Sequence, residues 1–170
     1  MINEILLSGF MLISPVNAEE HLPVFYEKSI ECLAINMYHE ARGQGTAGLL
    51  AVSSVVMNRV KDERFPDTVC EVIKQAQTRP SWKDKTKMIP IRDKCQFSWY
   101  CDGKSDFPAD QVTYKKLLMI ARTLLYNNVI IPDITDGALF YHADYVKPAW
   151  SKTKTKTVEV QDHIFYKWDK

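Results

Sequence analysis

Two helical patterns meet at a run of glycines in the first third of this chain, and that junction restricts the fold more than any other feature. Ile30, Leu33, Ala34, Met37, Tyr38 and Ala41 recur at i, i+3, i+4 spacing, so one face of a helix must pack against a core. Leu49, Leu50, Ala51, Val52, Val55, Val56 and Met57 leave the next segment, to about Val60, with little polar surface, which places it inside the protein. Gly43-Gln44-Gly45-Thr46-Ala47-Gly48 lies between them, stopping one helix and starting the other with Thr46 as the expected N-cap. The spacing predicts an αα-hairpin whose first helix ends in Tyr38-His39-Glu40-Ala41-Arg42-Gly43, held against the buried second. The same glycines formally match GxGxxG. Dinucleotide binding needs a strand before that motif, and here a helix comes first.

At about 100° per residue, Glu40 projects roughly 90° from the middle of the apolar stripe, where core meets solvent. A carboxyl half removed from water has its charged form disfavoured, so its pKa rises and it can hold a proton to donate. Taken alone, a helical Glu is more often a surface ion-pair partner, here of Arg42 or Lys28.

With 170 residues and 46% hydrophobic content, the chain can bury one substantial core, and a single domain is expected from near His21 to residue 170. A formal charge of +1 gives no general case for nucleic acid as a partner. Ile5 to Val16 form an apolar run too short to span a bilayer, and Ala18 fits a cleavage site before Glu19, so residues 1–18 resemble a signal peptide. Glu4 stands where a cation is expected, which leaves an amphipathic N-terminal segment as the alternative. Cys32, Cys70, Cys95 and Cys101 permit two disulfides in three connectivities, with Cys95 and Cys101 able to staple a small loop. No CxxC pair accompanies the scattered histidines, so zinc is the weaker reading.

Further along, Phe65-Pro66-Asp67-Thr68 reads as a turn and cap into a short helix over Val69 to Gln75. Thr78 to Lys94, charged and without a period, is expected as a long surface loop. Asp110 to Tyr126 carries Val112, Leu117, Leu118, Ala121, Leu124 and Leu125 at helical spacing and should pack onto the hairpin. Ala138 to His142 and Thr157 to Val160 read as strands of a small antiparallel sheet, and Lys152, Lys154 and Lys156 as decoration of its solvated edge. The fold class is therefore α+β, mainly helical, with a small C-terminal sheet.

Taken in order, Tyr38-His39-Glu40-Ala41-Arg42-Gly43, Ala51-Val52 through Asn58-Arg59-Val60, Phe65-Pro66-Asp67-Thr68-Val69-Cys70, Cys95-Gln96-Phe97-Ser98-Trp99, and Phe140-Tyr141-His142 through Val146-Lys147-Pro148-Ala149-Trp150 resemble the SleB-type cell wall hydrolases. The resemblance implies a lysozyme or lytic-transglycosylase-like fold and cleavage of peptidoglycan glycan strands, with Glu40 matching the family's single catalytic glutamate. It also implies action in the periplasm, cell envelope or extracellular space, reached by export or by phage-encoded release. Gln44 departs from the acidic residue of many relatives, and the Gln75-to-Gln96 connection is longer than in the shortest members. With no binding repeat in the sequence, a stand-alone catalytic domain is expected.

One carboxyl suffices for a lytic transglycosylase acting on the MurNAc-GlcNAc β-1,4 bond, because it can donate a proton and then take one back to form a 1,6-anhydromuramic end. Sugars offer apolar ring faces and polar rims, and Gln96, Ser98, Trp99, Tyr141 and His142 match that chemistry. Tyr38 is expected beneath the acid, and Phe97 and Trp150 in the core. No cofactor, metal or stable membrane insertion after processing is expected, and the chain reads as a monomer. Four alternatives stay open: a noncatalytic peptidoglycan-binding module, a hydrolytic muramidase or glucosaminidase using Asp136, Asp144 or Glu31, a zinc amidase or peptidase using His39, His142 or His163 with Glu40, and a thiol hydrolase pairing Cys95 or Cys101 with His142.

Overall fold

A computed structural model describes residues 24–126 and 131–168 of the chain. The expected signal peptide and the start near His21 lie outside the described residues. Helix α1 spans Val24–Ala41 and α2 spans Gly45–Val60. Every residue of the predicted α1 stripe is buried, from Ile30 to Ala41. The turn between the helices uses Gly45 at φ +61°, a left-handed conformation that glycine adopts without strain. Gln44, rather than Thr46, holds the N-cap position of α2, and it makes no side-chain cap bond.

Helix α2 is a shared wall between two apolar cores. Leu49, Val52 and Val56 join α1, the short helix α3 (Val69–Ile73) and α4 (Gln111–Tyr126) in the larger core. Ala51 and Val55 face the other way, against Ala138 and the fully buried Phe165. Burying an aromatic ring of that size contributes about 1.5–3 kcal/mol. Thr68 caps α3 as expected, accepting from Glu71 N at 3.3 Å. The helix stops at Ile73, two residues short of the expected Gln75. Asp110 lies just outside α4 and caps it through Val112 N and Thr113 N, which leaves Val112 exposed on the first turn instead of in the core.

The expected loop over Thr78 to Lys94 is instead an antiparallel hairpin of β1 (Ala76–Pro80) and β2 (Met88–Cys95). Its residues show no clean alternation of burial, which is why no strand signal marks it in the sequence. The C-terminal sheet has three antiparallel strands, β3 (Phe140–Ala143), β4 (Thr155–Val160) and β5 (His163–Lys167), in the spatial order β3-β5-β4. The central strand β5 is additional to the two strands expected from the sequence. Lys152 and Lys156 are exposed, whereas Lys154 is half-buried, its ammonium 4.2 Å from the Phe140 ring centroid, a cation–π contact on the outer face of the sheet. Two disulfides resolve the open connectivity: Cys32–Cys70 ties α1 to α3, and Cys95–Cys101 closes the turn after β2. No helix among the described residues is long and apolar enough to cross a membrane.

Candidate active site

Strand pleating decides which C-terminal side chains meet α1. Tyr141 pairs with Phe165 across β3 and β5, and both point toward the helices. Tyr141 sits at the seam of the two cores and donates its hydroxyl hydrogen to Glu40 Oε2 at 2.8 Å. Glu40 is half-buried on the last turn of α1. Burial raises the pKa of its carboxyl above the ordinary range, opposed by the Tyr141 hydrogen bond and by the charges of His39 and Arg59. Burial and the neighbouring Glu40 push the Tyr141 phenol well up, so it stays protonated and remains a donor.

Arg59, near the C-terminal end of α2, is 4% exposed and donates from Nε to Leu139 O at 2.8 Å, anchoring the chain just before β3. Its guanidinium carbon lies 5.2 Å from the Phe65 centroid and 5.3 Å from that of Phe97. Burial lowers its pKa to about 10, partly offset by Tyr141 and Glu40, so it is a cation at neutral pH. Neither Arg42 nor Lys28 pairs with Glu40, and the Arg42 guanidinium instead lies over the Tyr38 ring at 4.5 Å.

On the sheet side, His163 Nδ1 donates to Gln44 Oε1 at 2.9 Å, while Gln44 Nε2 donates to Asp162 Oδ2 at 3.5 Å. The His163 ring stands 5.0 Å from that of Tyr141, and burial lowers its pKa. Gly48 makes this arrangement possible, since a Cβ there would meet Gln44 Cβ at 2.5 Å. His39 stacks on Trp99 with centroids 4.8 Å apart and donates from Nε2 to Asp106 O at 3.1 Å.

The family model described as Cell Wall Hydrolase matches residues 43–166, nearly three-quarters of the chain. This chain belongs to the cell wall hydrolase family. The match takes in Arg59, Tyr141 and His163 and begins just after Glu40. Among curated relatives, a spore cortex-lytic enzyme of Bacillus cereus is 26% identical over 155 residues, covering 90% of this chain and 50% of its own length. Another from Oceanobacillus iheyensis is 25% identical over 144 residues, covering 84% and 43%. The chain thus spans about half the length of the curated relatives it matches. Among solved structures, the catalytic domain of the germination-specific lytic transglycosylase SleB from Bacillus anthracis superimposes with TM-score 0.55 at 28% identity, covering 82% of this chain and 93% of that domain. The catalytic domain of the Bacillus cereus SleB protein matches at the same score and identity, covering 83% and 91%. The fold is therefore that of the SleB catalytic domains, mixed helix with small antiparallel sheets, as the sequence implied.

Within this cell wall hydrolase, the expected site residues divide into two groups. Glu40 and Tyr141 are in contact. Gln96 and Ser98 are exposed and their side chains make no hydrogen bond among the described residues, while Phe97 between them is buried, as expected. Trp99 is only 7% exposed, with its indole N–H donated to Asn36 Oδ1 at 3.0 Å and one face under His39. It supports His39 and offers little open ring face. Tyr38 is two residues, about 200°, around the helix from Glu40. Its hydroxyl accepts from Asp110 N at 2.9 Å, in the interface with α4 and away from the acid. His142 points to the other face of β3, with Nε2 3.0 Å from the Tyr166 hydroxyl and Nδ1 donating to Ala143 O at 2.9 Å. Trp150 packs there too, half-buried against Tyr166 and Phe140.

Among the described residues, the alternative chemistries find no assembled site. All four cysteines are in disulfides, which removes the thiol nucleophile. No group of three or more His, Cys, Asp or Glu side chains that could hold a metal stands among the described residues. Asp136 pairs with Lys167 at 2.8 Å, and Glu31 is exposed more than two turns before Glu40. Asp144 acts on His163. Among the described residues, the groups that shift the Glu40 carboxyl are Tyr141, His39 and Arg59, none of them a carboxylate.

Sequence reasoning assigned no role to Arg59 or to the Gln44–His163 contact. The one charged residue in a helix with little polar surface is the available signal for the first. Nothing local marks a contact between residues 119 positions apart.

Proposed function

We propose that this chain is a lytic transglycosylase that cleaves the MurNAc-GlcNAc β-1,4 bond of peptidoglycan outside the cytoplasm, as a monomer, with Glu40 as its one acid and base. The observation that carries the reading is a half-buried carboxyl with raised pKa, held by a phenol and hydrogen-bonded to no carboxylate among the described residues. A hydrolytic glycosidase pairs two carboxyl groups, about 5–5.5 Å apart when retaining and 6.5–9.5 Å when inverting.

Protonated Glu40 gives its proton to the glycosidic oxygen as the C1–O bond breaks and positive charge develops on the muramic ring. Tyr141 holds Oε2 and Arg59 supplies positive charge nearby, so both stabilise the carboxylate left behind. That carboxylate then takes the proton from the C6 hydroxyl of the same sugar. O6 closes onto C1, giving a 1,6-anhydro end and returning Glu40 to its protonated form with no water consumed. Gln96 and Ser98 are the proposed partners of sugar hydroxyl and acetamido groups, a reading supported by their exposure on the turn whose Trp99 supports His39. The relatives' names place them in spore cortex lysis and germination, and the chemistry shared with this chain is glycan-strand cleavage.

Mass spectrometry of digested sacculi tests the assignment, because an anhydromuramic end is one water lighter than a reducing end. Anhydro ends are expected. Reducing ends alone would sink the transglycosylase while sparing a glycosidase, and peptides released without glycan cleavage would indicate an amidase.

A further inference from the structure

The β1–β2 hairpin has no use in the core. None of residues 76–95 is buried, and Trp82 and Met88 are 77% and 57% exposed. An isolated two-stranded hairpin is marginal in water, so an arm of this kind is retained for what it touches. Six cations against two carboxylates give it a net charge of +4, in a chain whose total is +1, leaving the remainder at −3. The two carboxylates are already engaged, Asp84 with Lys87 at 3.5 Å and Asp93 with Arg92 at 3.7 Å. Arg79, Lys83, Lys85 and Lys94 are exposed and have no acidic partner among the described residues.

The arm is rooted at the candidate site. Cys95 at the end of β2 is bonded to Cys101, closing the turn that carries Gln96, Ser98 and Trp99, and Trp99 stacks on His39, the residue next to Glu40 in α1. From that root, eight residues of β2 reach outward by roughly 25 Å. A glycan strand seated at Glu40 therefore has a basic arm beside it. The anionic groups of such a strand are the free carboxylates of the peptides hanging from its muramic acids.

We propose that the hairpin of residues 76–95 is a docking arm for the stem-peptide carboxylates of the glycan strand, with Arg79, Lys83, Lys85 and Lys94 as its contacts. This rests on the peptidoglycan reading above and adds a requirement that the glycan alone does not impose. The arm selects strands that still carry peptides and disfavours bare glycan. Its attraction weakens as salt screens exposed charge.

The test uses the full chain with Glu40→Gln, so that the polymer survives the measurement. Binding is measured to sacculi stripped of teichoic polymers and, as a bare glycan without carboxylates, to chitin, because removal of the peptides by an amidase would free a lactyl carboxylate on each muramic acid. The quadruple variant Arg79→Gln, Lys83→Gln, Lys85→Gln, Lys94→Gln is expected to bind peptide-bearing sacculi at least tenfold more weakly and to match its parent on bare glycan. Its melting temperature is expected to stay at the parent's value, and a salt titration of the parent reports the same charge dependence without altering the arm. Equal weakening on both polymers, or none on either, overturns the proposal. So does arm-dependent binding that is stronger to teichoic polymer or to vesicles of anionic phospholipid than to peptide-bearing sacculi. Cleavage by the native chain is scored separately: arm-dependent binding with no glycan cleavage removes the transglycosylase and leaves the arm.

Discussion

The Tyr141 hydroxyl donates to Glu40 Oε2 across 2.8 Å, joining the start of the sheet to the last turn of α1 over 101 positions of sequence. Tyr141→Phe removes the donor and leaves the ring in place. The carboxylate loses a hydrogen bond that lowers its pKa, so the alkaline limb of the pH–rate profile moves upward. A hydrogen bond to a charged group is worth about 1.5–3 kcal/mol, which corresponds to a fall in kcat of about ten- to a hundredfold. An unchanged profile would show that Tyr141 only packs.

Glu40→Gln is expected to lower cleavage by at least about a hundredfold while raising thermal stability at neutral pH. Burial raises the folded pKa of Glu40 above its unfolded value. Stability from this group is therefore full below the ordinary carboxylate range and is lost as pH rises through the raised value. The neutral amide escapes that loss. A melting temperature above native at pH 7 is expected, and the difference is expected to vanish below about pH 4. Full cleavage activity in this variant would rule Glu40 out as the acid.

Gln44→Glu places a carboxylate where His163 Nδ1 now meets an amide oxygen at 2.9 Å. In the native chain His163 has a lowered pKa, so its contribution to stability is present above the unfolded value of about 6.5 and is lost as pH falls through that region. The ion pair reverses the sign: the imidazole pKa rises above its unfolded value, and the new contribution is full at acid pH and lost as pH rises through the folded value. Histidine NMR titration reads the change directly. A His163 pKa that stays low would mean that Gln44 does not hold it.

The two disulfides are expected to separate stability from activity. Cys32–Cys70 spans 38 positions and Cys95–Cys101 spans six, so chain entropy gives about 4 kcal/mol for the first and about 2 kcal/mol for the second. Replacing the first pair by serines should cost more in denaturant melts. Replacing the second should cost more in kcat/KM, because the turn it closes carries Trp99, on which His39 stacks. Equal losses of both quantities in both variants would dissolve the distinction.

The helical half was readable because its signals are local. The α1 stripe and the apolar α2 each repeat within a few residues, and Glu40 follows from the same periodicity. The hairpin escaped notice because neither of its faces is buried and alternation has nothing to report. His142 and Tyr141 are adjacent in sequence and chemically alike as sugar ligands, yet pleating sends one to Glu40 and the other to Tyr166. Only the register of β3 against β5 separates them, and that register depends on a strand that the sequence did not reveal.

Helix α2 parts the two cores, with the acid carried on the larger one and Tyr141 at the seam with the smaller. A half-folded chain with only one core built thus possesses Glu40 or its phenol, never the two in register. Lytic competence is accordingly a property of the finished molecule, and turnover reports complete folding more strictly than helix content does.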